Sequence, residues 1–271
     1  MLQKVYRFIA HYQLPLFLGL ALAFSAGNAV AAAAAGNEDM AILTVFTPSL
    51  LAIVLTAILS GRVGLSDLLV KRFWGNPRWI WAAISCGLVP ITAFLAILIA
   101  SFWGGPAPAL RTTQLLPQII VIILISLGEE FGWRGYALPR LQQRYSPLIA
   151  SLILGVFWAV WHIPGYLIGV GVPLAMPLIV FFLWVILMTI LMTWVYNQTQ
   201  SILLAIIMHS SANATFNYLP LLPEFTGQLA PFLLLLGLLG LMVTAVVLGD
   251  GMHIGFFTRI RSRTFIEAYD V

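Results

Sequence analysis

The sequence predicts an all-α protein, a polytopic transmembrane helical bundle of about eight spans with both termini cytoplasmic. Composition, apolar runs and the sidedness of the basic residues predict it. Hydrophobic residues make up 61% of the 271 and charged residues only 8%, with a mean hydropathy of +1.01. A water-facing globule carries roughly 25% charged residues to solvate its surface. A soluble enzyme and a disordered chain are therefore excluded, and the lipid bilayer is the chain's first partner. Thirteen Lys and Arg against nine Asp and Glu make the chain basic. These charges lie singly between apolar runs and form no basic cluster, so no nucleic-acid partner is expected. The single Cys86 allows no intrachain disulfide.

Eight apolar runs are legible, at 14–35, 42–60, 79–103, 115–131, 148–168, 174–196, 201–218 and 228–249. At about 20 residues per span, eight spans use roughly 160 residues. Most runs lack the polar stripe of a soluble amphipathic helix. The fourth ends in Gly128-Glu129-Glu130 and carries on with no clear turn before Pro139. The first run, with Lys4 and Arg7 before it and alanines at 31–35, resembles a signal peptide. It is longer than a signal core and is expected to be a retained membrane helix.

Basic residues accumulate in cytoplasmic loops. With a cytoplasmic N-terminus, that side holds Lys4, Arg7, Arg62, Lys71, Arg72, Arg78, Arg134, Arg140, Arg144, Arg259, Arg261 and Arg263, and the other holds only Arg111. The segment 61–77 is expected to be a cytoplasmic connection with a short interfacial helix near 66–73, its Leu65, Leu68, Leu69 and Phe73 on one face. No internal repeat is visible. The chain is read as a single integral membrane domain, 1–271, with a motif-bearing core at about 115–218. The cell membrane is its expected location.

Ionisable residues within spans are costly and each needs a reason. His11, Glu224, Asp250 and His253 fall at span ends or loops and read as solvated. Glu129, Glu130, Arg134, His162, His209 and Asn213 do not. Glu130 and Arg134 stand at i and i+4 and can pair. Glu129 points about 100° away on the helix and stays out of that bridge, which makes it a candidate general base. The plainer reading is a structural salt-bridge cluster. His162 lies among aromatics two residues before Pro164, which tends to kink a helix. A lone histidine there is commonly a satisfied core residue. His209 and Asn213 are again i and i+4, and two donors on one face can stabilise an oxyanion. Polar glue between helices is the competing account. A carboxylate, two histidines and an amide are together the parts that activate water against a carbonyl. In a simple alternation of spans, Glu129 and His162 lie at unequal depths. They meet only if the fifth helix begins later or the site is a deep cavity.

At these residues the chain resembles the family of CAAX prenyl proteases and bacteriocin-processing proteins, also called the CPBP or Abi family. Its Glu-Glu-x-x-x-Arg motif stands here as Glu129-Glu130-Phe131-Gly132-Trp133-Arg134. Its Phe-x-x-x-His motif is met by Trp158 and His162, with Trp in place of Phe. Its His-x-x-x-Asn motif is met by His209 and Asn213. The resemblance implies an eight-span hydrolase acting in intramembrane proteolysis. It implies that Glu129 and His162 activate the attacking water, that His209 and Asn213 form the oxyanion hole, and that Glu130 and Arg134 organise the site. The substrate it implies is a membrane-associated peptide or protein, prenylated in the family's eukaryotic cases. No cofactor is expected. There is no H-E-x-x-H helix, although Glu129, His162 and His209 could form a two-histidine, one-carboxylate zinc set.

The resulting expectation is an intramembrane endopeptidase of glutamate type, its cavity built by spans four, five and seven and open toward the cytoplasm. Three alternatives stand beside it. A non-catalytic membrane protein of the same fold would serve in immunity, regulation or scaffolding. A transporter would show paired broken helices in two repeats. A serine protease would use Ser210 or Ser211, neither of which sits in a Gly-x-Ser-x-Gly elbow.

Overall fold

The computed structural model describes residues 2–111 and 115–253. Arg259, Arg261 and Arg263, counted above toward the cytoplasmic side, lie outside the described residues, as do the side chains of Asp250 and His253. Among the described residues the secondary structure is helical, with no strand. A short helix, α1 (Leu2–His11), comes first. Among the described residues, seven helices are long and apolar enough to cross a membrane. They are α2 (Gln13–Ala35), α3 (Ile42–Trp74), α4 (Trp79–Ser101), α5 (Leu115–Gln142), α6 (Pro147–Leu167), α7 (Leu178–Thr199) and, after the shorter α8 (Ile202–Tyr218), α9 (Ala230–Gly249). Helix α8 has 17 residues, about 25 Å at 1.5 Å per residue. It is the seventh of the eight apolar runs, and its Ile202, Ala205, Met208 and Ala212 are buried among the other helices.

One helix breaks where its apolar run ends, and another runs further than its own run suggests. Helix α3 bends at Gly61, whose φ of 53° suits glycine. A helix resumes beyond that break and runs through 66–73, so the short helix expected there is present, set off from the preceding span by the non-helical backbone of Gly61. Leu68 is buried there while Leu69 is exposed. Helix α5 passes 131 and continues to Gln142 through a wider π-type turn at Trp133–Ala137. Pro139 does not stop it. Proline cannot donate to the carbonyl four residues back, here that of Gly135. Arg72 Nη1 donates to that carbonyl instead, at 3.3 Å. Arg134, counted above as a loop charge, is therefore inside the bundle, with 0% of its surface exposed.

Small residues let α5 pack tightly on the start of α3. A Cβ on Gly128 would stand 2.8 Å from the Val45 carbonyl oxygen, and one on Gly132 would stand 2.5 Å from the Pro48 carbonyl carbon. Ser49 Oγ fastens the same seam by donating to the Leu127 carbonyl at 2.9 Å. Without a hydrophobic drive between helices in lipid, such close backbone contact is a main source of association. It fixes the rotation of α5 and hence where Glu129 and Glu130 point.

The bundle has two distinct ends. At one, Arg140 Nε donates to Gln13 Oε1 at 2.7 Å, Tyr6 to the Leu59 carbonyl at 3.1 Å and Ser201 Oγ to the Phe73 carbonyl at 3.2 Å. At the other, Tyr218 donates to the Leu115 carbonyl at 2.9 Å, Gln228 Nε2 to the Gly104 carbonyl at 3.3 Å and Asn28 Nδ2 to Thr44 Oγ1 at 3.2 Å. Lys4, Arg7, Arg62, Lys71, Arg72, Arg78, Arg140 and Arg144 belong to the first end, and Arg111 to the second.

Gly132→Ala should lower stability by about 1–3 kcal/mol, the usual range for overpacking, because the Pro48 backbone cannot swing aside like a side chain. Thermal unfolding in detergent checks this, and an unchanged midpoint would mean the seam is not tight.

Candidate active site

The site is assembled around Glu130, which is fully buried. Its Oε1 accepts from Arg134 Nη1 at 2.9 Å and from His209 Nδ1 at 2.8 Å. The i, i+4 pairing read from the sequence is present, and it extends across helices to α8. A buried guanidinium without an anion is strongly destabilising, so Glu130 is committed to this role. Glu129 is left out of the bridge. It is 2% exposed, and its Oε2 accepts from Trp158 Nε1 at 2.7 Å.

Trp158 connects every part of the cluster. The Arg134 guanidinium lies over its ring at 4.3 Å from the centroid, a cation–π contact. The rings of His209 and His162 pack against it, with centroids 5.3 and 5.8 Å away. In the sequence Trp158 counts only as an aromatic at a motif position. Its indole N–H is what a phenylalanine lacks, and that donor holds Glu129.

His162 is oriented by the break before Pro164. Its backbone N–H turns to the Ala159 carbonyl at 3.1 Å instead of continuing the α-helical ladder. The Trp158 carbonyl accepts from His162 Nδ1 at 2.7 Å. A carbonyl can only accept, so Nδ1 carries the proton and Nε2 of neutral His162 is an acceptor. Phe181 packs on the same ring at 5.2 Å between centroids.

Glu129, Trp158, His162, His209 and Asn213 all line one cavity of about 610 Å³. The depth problem of the simple alternation disappears because α5 is longer than its apolar run. Glu129 lies 14 residues after Leu115 and 13 before Gln142, at the middle of the helix. Trp161, Phe181, Trp184, Met188 and Met192 supply much of the apolar wall. The sequence did not single these out, since aromatic and Met residues recur throughout a chain that is 61% hydrophobic. Helix α2 also contributes wall at Ser25 and Ala29, and Ser25 Oγ donates to the Trp161 carbonyl at 2.8 Å.

The exposed part of the lining is Ile42, Gly171, Leu174, Asn217, Glu224 and Phe225. These residues lie at the start of α3, in the α6–α7 and α8–α9 connections or in the last turn of α8. The mouth is thus at the end that holds Arg111, away from α1 and the basic loops, rather than at the expected cytoplasmic end. Glu224 is exposed, as expected of a loop residue, and also accepts from the Ala175 N–H at 2.8 Å, joining two connections at the rim. Ser210 and Ser211 do not line the cavity. Ser211 Oγ donates to the Ser85 carbonyl at 2.9 Å, which leaves the serine-protease alternative without its nucleophile in the site.

Glu129, His162 and His209, the two-histidine, one-carboxylate set, line the same cavity without converging on one point. Among the described residues no three His, Cys, Asp or Glu side chains gather closely enough to hold a metal ion.

Fold and site define a helical membrane protein with a carboxylate, two histidines and an amide on one buried cavity. Residues 111–215 match the family model described as Type II CAAX prenyl endopeptidase Rce1-like. A CAAX prenyl protease 2 of Methanococcus maripaludis is 31% identical over 179 residues, covering 60% of this chain and 63% of the relative. The chain thus spans just under two thirds of that curated relative's length. The likeness to the CAAX prenyl protease family read from the motifs is borne out, since all three motifs lie inside the matched residues.

Arg134→Ala should destabilise the protein by roughly 3–5 kcal/mol, the range for breaking a buried pair from one side. Thermal unfolding of the purified variant reads this directly. An unchanged midpoint would mean Glu130 does not depend on its cation.

Proposed function

We propose that the chain is an intramembrane endopeptidase of glutamate type. The observation that carries the reading is that Glu129, free of the Arg134 bridge, shares one cavity with His162, His209 and Asn213. Water is activated between Glu129 and His162. Glu129 Oε2 is held by Trp158, and His162 presents Nε2 as an acceptor because Nδ1–H is spent on the Trp158 carbonyl. The carboxylate takes the water proton as the oxygen attacks the scissile carbonyl, and it returns that proton to the leaving amine. Attack places negative charge on the carbonyl oxygen. Asn213 Nδ2 and His209 Nε2 are the donors for it. His209 already donates Nδ1–H to Glu130, so donation from Nε2 uses the doubly protonated ring, with Glu130 as its counter-ion.

Glu130 and Arg134 touch neither water nor substrate in this mechanism and act as positioning residues. No step passes through a metal. The residues from 115 to 218 form the catalytic core. The substrate is a membrane-associated peptide or protein, and the name of the Methanococcus relative makes prenylated CAAX peptides the first ones to try.

The test is cleavage of a mixed peptide pool, farnesylated CAAX peptides included, by purified protein in lipid nanodiscs. Wild type should cleave, Glu129→Gln should not, and a chelator should change nothing. Loss of cleavage with chelator would require a metal. No cleavage by wild type would favour the non-catalytic alternative. Trp158→Phe keeps the aromatic and removes the N–H to Glu129. A hydrogen bond to a charged group contributes about 1.5–3 kcal/mol, so kcat should fall by about ten- to a hundredfold with the fold intact. An unchanged kcat would remove Trp158 from the mechanism.

A further inference from the structure

The side from which the cavity is reached follows from observations independent of its chemistry. Its exposed wall is made by the start of α3, the α6–α7 and α8–α9 connections and the last turn of α8. Asn213 lies five residues from Tyr218 at that end and His209 nine, about 7 and 13 Å along the helix. Among the described residues, none from the connections at the opposite end lines the cavity. That opposite end carries Lys4, Arg7, Arg62, Lys71, Arg72, Arg78, Arg140 and Arg144, whereas the mouth end carries Arg111. Basic residues in short loops set orientation because they stay on the cytoplasmic side.

The lining also restricts what can enter. Its titratable residues are Glu129, His162, His209 and Glu224, and among the described residues no Lys or Arg lines it. A C-terminal carboxylate carried inside would find no Lys or Arg, and the His209 ring is already paired with Glu130; an unpaired charge in such a place is costly. Trp161, Phe181 and Trp184 on the wall instead suit bulky apolar side chains, whose burial is favourable at about 25 cal/mol per Å².

We infer that the site is entered from the non-cytoplasmic face, and that its substrate is an internal, apolar, uncharged segment of a membrane-anchored polypeptide emerging on that face. The substrate clause rests on the endopeptidase reading, and the side of entry does not.

The test separates the two. Cys86 is exposed and is first replaced by Ser. Leu174→Cys at the mouth, Trp103→Cys at the same end and Gln143→Cys at the opposite end are made in that background. Cells producing each variant are treated with a membrane-impermeant maleimide, intact or permeabilised. Leu174→Cys and Trp103→Cys should label in intact cells, and Gln143→Cys only after permeabilisation. The reverse pattern overturns the inference. Trp103→Cys reports the side even if a change at the rim disturbs folding.

Two single-span reporters then carry the same apolar, uncharged segment on one face or the other. The reporter with its segment on the non-cytoplasmic face should be cut by wild type and spared by Glu129→Gln. Cleavage of only the cytoplasmic-face reporter overturns the inference. Cleavage of neither, with Leu174→Cys labelled from outside, upholds the side of entry and contradicts the endopeptidase reading.

Discussion

A guanidinium with no access to water must have an anion beside it, and the arrangement of the site follows from that requirement. Arg134 is fully buried within a membrane-spanning helix. Glu130, one turn earlier, neutralises it and also accepts from His209 on α8. The same carboxylate thus ties α5 to α8 and sets the face on which His209 presents its other nitrogen. Two adjacent carboxylates then have separate tasks. Glu130 is held by two donors, while Glu129 is turned about 100° around the helix and faces the cavity. The Trp158 ring lies over Arg134 and its N–H reaches Glu129, so the structural and the cavity-facing carboxylates are supported by one side chain.

Breaks in the helices provide what regular helices would not. Two irregular turns next to prolines leave carbonyls that side chains fill. Near Pro139, Arg72 reaches the Gly135 carbonyl and α5 continues as far as Gln142. Near Pro164, the tightened turn puts the Trp158 carbonyl against His162 Nδ1 and fixes which imidazole nitrogen is an acceptor. The glycine seam of Gly128 and Gly132 against α3 holds α5 at the rotation these contacts need. Backbone geometry, more than side-chain packing, decides where the reactive groups point.

Much of this was legible in the sequence. Polar residues are rare in the spans, so each one stood out, and helical spacing alone separated Glu129 from the Glu130–Arg134 pair. The site residues therefore came from periodicity and from the cost of burial. The depth of the site was not legible, because the apolar run stops at 131 while the helix does not. The role of Trp158 was hidden because an indole N–H has no periodic signature. The aromatic wall was hidden by the abundance of similar residues elsewhere. The mouth was expected at the opposite end, since its place depends on which connections fold over the cavity, and those at 168–177 and 219–229 carry only one charged residue, Glu224.

The central claim is that adjacent carboxylates are divided between structure and chemistry. Glu129→Gln and Glu130→Gln, compared in the same lipid nanodiscs for thermal midpoint and for peptide cleavage, test that division directly. Glu129→Gln should keep the wild-type midpoint and lose cleavage. Glu130→Gln should lower the midpoint, because it leaves Arg134 without its paired anion. A lowered midpoint in Glu129→Gln together with an unchanged one in Glu130→Gln would contradict the account.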